Sequence, residues 1–126
     1  MFPVQRSCLV ACPVLFMLGL VFGIDLSGRG SPQRAAVTKT LLENEKVLVR
    51  EVIYEKDSRR PTHVRQNDQV IVFLNDAHYE VAYTDGKKET RTRKAGEVIW
   101  HSRGETAPNL TNSGDLAYRT IVVNLK

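Results

Sequence analysis

Cysteine is almost missing from this chain and stands where it can do little. Of 126 residues only Cys8 and Cys12 are cysteine, and both lie in an apolar N-terminal stretch. A domain folded from the remainder has no disulfide and no thiolate metal site, so its core alone must hold it. Helical spacing is missing too: beyond residue 45 no i, i+3, i+4 pattern of apolar residues outlasts one turn. There is no internal repeat, no Ser or Cys nucleophile motif and no glycine-rich phosphate loop, which removes the commonest hydrolase and nucleotide-binding classes. The densest basic run, Lys87, Lys88, Arg91, Arg93 and Lys94, lacks interleaved aromatics. Glu89, Thr90 and Thr92 interrupt it, so it reads as the solvated face of a hairpin rather than as a nucleic-acid surface, although the net charge is +4.

What is present divides in three. MFPVQR carries Arg6 as its single charge, and residues 7–24 then run uncharged to Asp25. A basic start followed by an apolar core is the layout of an export signal, and Gly23, with Val21 two residues before it, offers a cleavage point. About 18 uncharged residues also come close to the roughly 20 that cross a bilayer, so a retained anchor is the alternative, weakened by Pro13. LVAC, residues 9–12, resembles a lipoprotein box, but the apolar run continues past it and the match is one of chance. Residues 1–24 are therefore read as a signal peptide or membrane anchor. The protein is read as exported, periplasmic or extracellular, touching membrane only through this segment. Residues 25–40, rich in Gly, Ser, Pro and charge, read as a flexible linker, and 41–126 as one folded domain.

Within that domain the period is two. KVLVREVIYEK places Val47, Val49, Glu51 and Ile53 on one side and Leu48, Arg50, Val52 and Tyr54 on the other. Neither side is wholly polar, which suits a strand between layers or at a sheet edge. QVIVFL is apolar throughout, as a strand covered on both faces would be. HYEVAYT alternates, and the turn TDGKK, with Asp85 and Gly86, sends the chain back into KETRTRK. EVIW, a turn at SRGE, a polar stretch TAPNLTNSGD and the strand LAYRTIVVNL complete the chain. Seven to nine short strands at this spacing make an all-β sandwich or barrel.

Particular residues between Lys46 and Lys126 resemble the cupin family, small jelly-roll β-barrels. That family's first motif runs G, five residues, H-x-H, three or four residues, E, six residues, G. Pro61 and His63 fall in the expected places here, with Arg65 at the second histidine, Gln69 at the glutamate and Asp76 at the closing glycine. The second motif runs G, five residues, P-x-G, two residues, H, three residues, N. KAGEVIWHSRG supplies Gly96 and Gly104 at the right separation, with Ser102 at the proline. The histidine position falls on Ala107, or on Pro108 if the extra residue before Asn112 is placed earlier. The resemblance implies a single jelly-roll, cupin-like β-barrel, and a homodimer formed through edge strands that would otherwise stay open.

The site the resemblance implies has lost its metal chemistry. Family metals sit on three histidines and a glutamate. Of those positions only His63 keeps such a donor, because a guanidinium has no lone pair, an amide is uncharged and alanine offers nothing. We therefore expect no metal and no cofactor. If Arg65 points inward, it joins His63 and Gln69 in a donor-rich pocket for a small anionic ligand, a carboxylate or phosphate. His101, Tyr83 and Trp100 are the further candidate lining residues. The plain counterpart is that Arg65 is neutralised by Asp68 or Glu80 and the barrel is closed, and that His101 is a histidine near a strand end satisfied by water or backbone. A non-catalytic binding or accessory module is the leading expectation. The alternative is a metal-free epimerase or isomerase with His63 as base, Asp68 or Asp76 orienting it, and Tyr79 or Tyr83 as acid. A metal-dependent dioxygenase is the third. Asn109-Leu110-Thr111 is a glycosylation sequon, relevant only after eukaryotic secretion.

Overall fold

The computed structural model describes residues 33–126; the segment read as signal or anchor lies outside them. Among the described residues the chain forms strands and no helix. They are β1 (Val37–Glu43), β2 (Val47–Tyr54), β3 (Arg59–Arg60), β4 (His63–Val64), β5 (Asp68–Phe73), β6 (Ala77–Ala82), β7 (Lys88–Arg93), β8 (Val98–His101), β9 (Thr106–Ala107), β10 (Asn109–Asn112) and β11 (Tyr118–Leu125). One sheet has the order β1-β2-β11-β5-β8 and the other β3-β10-β6-β7, while β4 and β9 pair only with each other.

The all-β jelly-roll reading holds, with one correction: the sheets do not close into a barrel. β1 and β8 are edges of one sheet, β3 and β7 of the other. On one side the gap is spanned by β4 and β9, two residues each, and pieces that short cannot carry a hydrogen-bond ladder from sheet to sheet.

Period-two alternation is what builds the strands. β2, β7 and β11 lie within the segments whose spacing indicates strands, and β5, β6 and β8 overrun theirs by one residue. β2 is not an edge, since β1 and β11 flank it. β5 is not covered on both faces either: Ile71 and Phe73 are buried, whereas Val70 and Val72 are half-exposed. β1 takes in residues 37–40, which read as linker, and is exposed along its whole length. β10 lies in the stretch read as polar. NLTN has little strand propensity of its own, but it is ladder-bonded to β3 and β6, and that pairing decides. The β6–β7 hairpin turns where expected. Gly86 has a φ of 86°, a left-handed value costly for a side chain, and the Asp85 carboxylate accepts from the Lys87 amide at 2.9 Å.

The core lies between the sheets and is aromatic at one end. The Tyr54 and Tyr118 rings stack at 4.8 Å, and Phe73 and Tyr79 close on Tyr118 at 6.2 and 5.8 Å. Such pairs are worth about 0.5–1.5 kcal/mol each beyond their burial, which matters in a domain without cross-links.

The opposite face of the five-stranded sheet is also apolar. Register aligns Leu42, Val49, Val123, Val70 and Trp100 in one row and Lys39, Glu51, Ile121, Val72 and Val98 in the next. Glu51 is neutralised there by Arg119. Val98 and Trp100 remain 59% and 54% exposed.

Candidate ligand cavity between the sheets

Between the sheets lies a cavity of about 470 Å³. The registers of β2, β11, β5 and β8 arrange its wall in rows along the strands. Tyr54 and Tyr118 form one end, followed by Val52, Thr120 and Phe73, then Arg50, Val122, Ile71 and Ile99, and finally Gln69 and His101. Along β5 the wall passes from aromatic Phe73 to polar Gln69 in four residues, and along β2 from Tyr54 to Arg50 in four, roughly 13 Å at ~3.3 Å per residue.

Arg65 stands at the polar end. Its backbone is pinned to the following turn, its amide donating to the Glu105 carbonyl and its carbonyl accepting from the Gly104 amide, both at 2.9 Å. Its side chain is 5% exposed and lines the cavity. Nε donates to the Gln69 Oε1 at 3.3 Å, and Nη1 lies 3.9 Å from the Glu105 carboxylate. Asp68 and Glu80, its expected neutralisers, are elsewhere: Asp68 accepts from the Arg103 amide and Glu80 faces Lys88. Burial, and then Arg60 nearby, depress the Arg65 pKa, opposed by Glu105 and Tyr54. The group remains a cation, one whose surroundings do not fully match its charge.

Gln69 is oriented by donating to Asn124 Oδ1 at 2.7 Å, which leaves its carbonyl for Arg65. His101 is its register neighbour on β8 and donates from Nδ1 to Glu105 at 3.2 Å. With the proton held on Nδ1, Nε2 keeps its lone pair. Burial first, and then Arg65, lower the His101 pKa against the pull of Glu105, so the ring is neutral near pH 7. His63 is exposed on β4, its ring against the Pro61 carbonyl at 3.2 Å. Ala107 is its register partner, so the two positions the family gives to histidine do lie side by side. Tyr83 lines the cavity, donates to Glu89 at 3.0 Å and accepts from Arg91 at 2.7 Å.

Two expectations fail for stated reasons. Trp100 does not belong to the cavity. One residue before His101 on β8, it points from the other face, and its indole donates to Ser102 at 3.1 Å. Asp76 is spent on the Ala95 amide and Lys94, and Asp68 on a turn amide, so neither can orient His63. The imidazole that does have a carboxylate is His101.

Sequence reasoning missed Arg50, Arg60 and Glu105. Arg50 carried a signal, since alternation puts it on the side of Val52 and Tyr54. Arg60 donates to the Pro108 carbonyl at 3.0 Å, and the Nε atoms of both arginines are buried without a partner. Glu105 had no local signal beyond its place in the SRGE turn.

The donor set does not fit the metal of metal-dependent cupins. A buried guanidinium occupies one of its positions and a fully buried methyl another, and among the described residues no three His, Cys, Asp or Glu converge. A cation here would meet the Arg65 guanidinium, which already faces the Gln69 oxygen and the Glu105 carboxylate.

No protein-family model matches this sequence, and no curated protein matches it. Solved structures match in fold. A cupin domain from Bordetella pertussis Tohama I is similar with a TM-score of 0.69 at 20% identity, over 77% of this chain and 99% of that one. The polyketide cyclase RemF from Streptomyces resistomycificus gives 0.59 at 19%, over 74% and 68%. An RmlC-like cupin family protein with a double-stranded β-helix fold from Methanocaldococcus jannaschii gives 0.57 at 14%, over 75% and 84%.

Proposed function

With the cupin double-stranded β-helix fold as premise, we propose that this chain is a binding module which takes a small organic anion into the cavity between its sheets, with Arg65 as the main charge contact. The observation that carries this is the state of Arg65: a guanidinium 5% exposed, held by one 3.3 Å bond and a carboxylate at 3.9 Å. A buried ion so poorly matched costs several kcal/mol. An anion that donates no proton but accepts from the guanidinium offsets that cost, and the half-exposed Arg60 beside it adds a second positive charge. Read together with the apolar segment 7–24, the module acts outside the cytoplasm.

The test is calorimetric titration of the purified chain with acetate, benzoate and inorganic phosphate. Saturable binding at one site per chain, lost in Arg65→Gln, supports the reading. No binding of any of the three, at concentrations that saturate ordinary carboxylate sites, overturns it.

One observation favours a second reading, a metal-free epimerase or isomerase. The base passes from His63 to His101, because His101 has both a carboxylate partner and a lowered pKa. Deuterium wash-in from solvent at C3, the carbon next to the keto group of a bound 2-keto acid, lost in His101→Gln, is the signature, and its absence leaves the binding reading alone.

A further inference from the structure

The cavity says more about its ligand than that it is anionic. We infer that the ligand is an organic dianion with a flat apolar body: two negative charges at one end and an aromatic or similarly planar ring at the other. This deepens the anion-binding reading and rests on it.

Charge comes first. Arg50, Arg60 and Arg65 line the cavity, Arg59 reaches its rim as an exposed side chain solvated by water, and Glu105 is the single carboxylate in the lining. With Arg59 left to the solvent, three guanidiniums less one carboxylate leave two positive charges, and the neutral His101 adds none. Arg91 also lines the cavity but is matched by Glu89 at 3.2 Å. The surplus is not hydrogen-bonded away either, since Nε of Arg50 and Nε of Arg60 are buried donors without acceptors. Buried donors of this kind are rarely left unpaired unless something outside the chain accepts from them. A monocarboxylate would leave one of the two charges unmatched in a poorly solvated wall.

Shape comes second. The far end is walled by rings rather than by branched aliphatics: Tyr54 lies on Tyr118 with 17° between planes, and Phe73 faces Tyr79 at 4°. Parallel rings present flat surfaces, and a planar apolar group packs against them with the least exposed area. Arg50 lies four residues from Tyr54 on β2 and Gln69 four from Phe73 on β5, about 13 Å at ~3.3 Å per residue. A volume of about 470 Å³ is ample for a ring plus a charged head. A bare inorganic anion would use one end and leave the other unfilled.

The experiment is a titration of the full chain with four probes: inorganic phosphate, benzoate, phenyl phosphate and 1-naphthyl phosphate. The aryl phosphates should bind at least about 10-fold tighter than either inorganic phosphate or benzoate, a gap of about 1.4 kcal/mol. Arg50→Met, which touches neither Arg65 nor its hydrogen bonds, should weaken the aryl phosphates about 10-fold or more and change benzoate by less than about 3-fold. Its melting temperature reports whether the variant is folded. If Arg50→Met does not fold, Arg60→Gln gives the same comparison. Equal affinity for benzoate and phenyl phosphate would mean that one charge is read, and equal affinity for inorganic and phenyl phosphate would mean that the aromatic end is not used. Either result overturns the dianion inference while the anion site stands. Failure of all four probes takes down the anion site itself.

Discussion

Arg65→Met keeps an unbranched apolar stem of comparable volume and deletes the charge, and the effect follows from what the side chain touches. The attraction between Nη1 and Glu105 at 3.9 Å is about 4 kcal/mol at an effective dielectric near 20. Against it stand the cost of removing a guanidinium from water, several kcal/mol after relaxation, and repulsion from Arg60. Replacing such an ion by an apolar group of similar volume gains roughly 1–4 kcal/mol. Leaving the Gln69 carbonyl without its donor takes back about 1 kcal/mol. A net stabilisation near 1 kcal/mol, or a rise in Tm of roughly 4–8 °C for a domain of this size, is the expected result. Thermal unfolding followed by circular dichroism measures it, and the same variant should bind no anion. The charge argument fails if Arg65→Met lowers Tm by more than about 4 °C, because the guanidinium would then be a satisfied structural ion pair in a closed sandwich.

Acidity gives another handle. The folded chain holds the His101 pKa below its ordinary 6.5, so as pH falls through that value the unfolded chain takes up the proton first. Stability contributed by neutral His101 is present above about pH 6.5 and is lost between there and the lower folded pKa; urea unfolding against pH should show this loss in the parent and not in His101→Gln. An anion beside the ring raises that pKa, so affinity should improve on acidification below about pH 6.5, with proton uptake visible as a buffer-dependent binding heat. Asn112 is fully buried, its amide donating to the Tyr54 and Leu116 carbonyls at 2.9 and 3.0 Å and its oxygen accepting from the Gly114 amide at 3.0 Å. Asn112→Leu strands those backbone groups and should cost about 3 kcal/mol in urea unfolding, whereas a loss under about 1 kcal/mol would mean they find other partners. The single tryptophan, Trp100, lies on the outer apolar face, so saturating anion should leave its emission unchanged. A second copy of the chain covering that face predicts a dimer in light scattering that Trp100→Glu reduces to monomer, and a monomeric parent would refute it.

Much of the architecture was legible because alternation is a local property. Val47 to Tyr54, Gln69 to Phe73 and Tyr118 to Leu125 each carry their own period of two, and Asp85-Gly86 carries its own turn. The resemblance of RRPTHVRQNDQ to the first cupin motif, rather than alternation, is what put Arg65, Gln69 and His63 in the frame of a binding pocket. Alternation could not see β10, whose polar sequence becomes a strand only because β3 and β6 pair with it.

The sequence by itself thus determined an all-β domain with no cysteine beyond residue 12, and its resemblance to the cupin motifs marked Arg65 as a candidate. Only the tertiary structure decided which face each strand turns inward, placing His101 in the cavity and Trp100, one residue earlier, outside it. It also decided the charge of that cavity. Arg50, Arg60, Arg65 and Glu105 come from separate segments, and their sum exists only where strand register brings those segments to a common wall. Strand-forming tendency is carried by neighbours along the chain, but an electrostatic surplus is carried by neighbours in space.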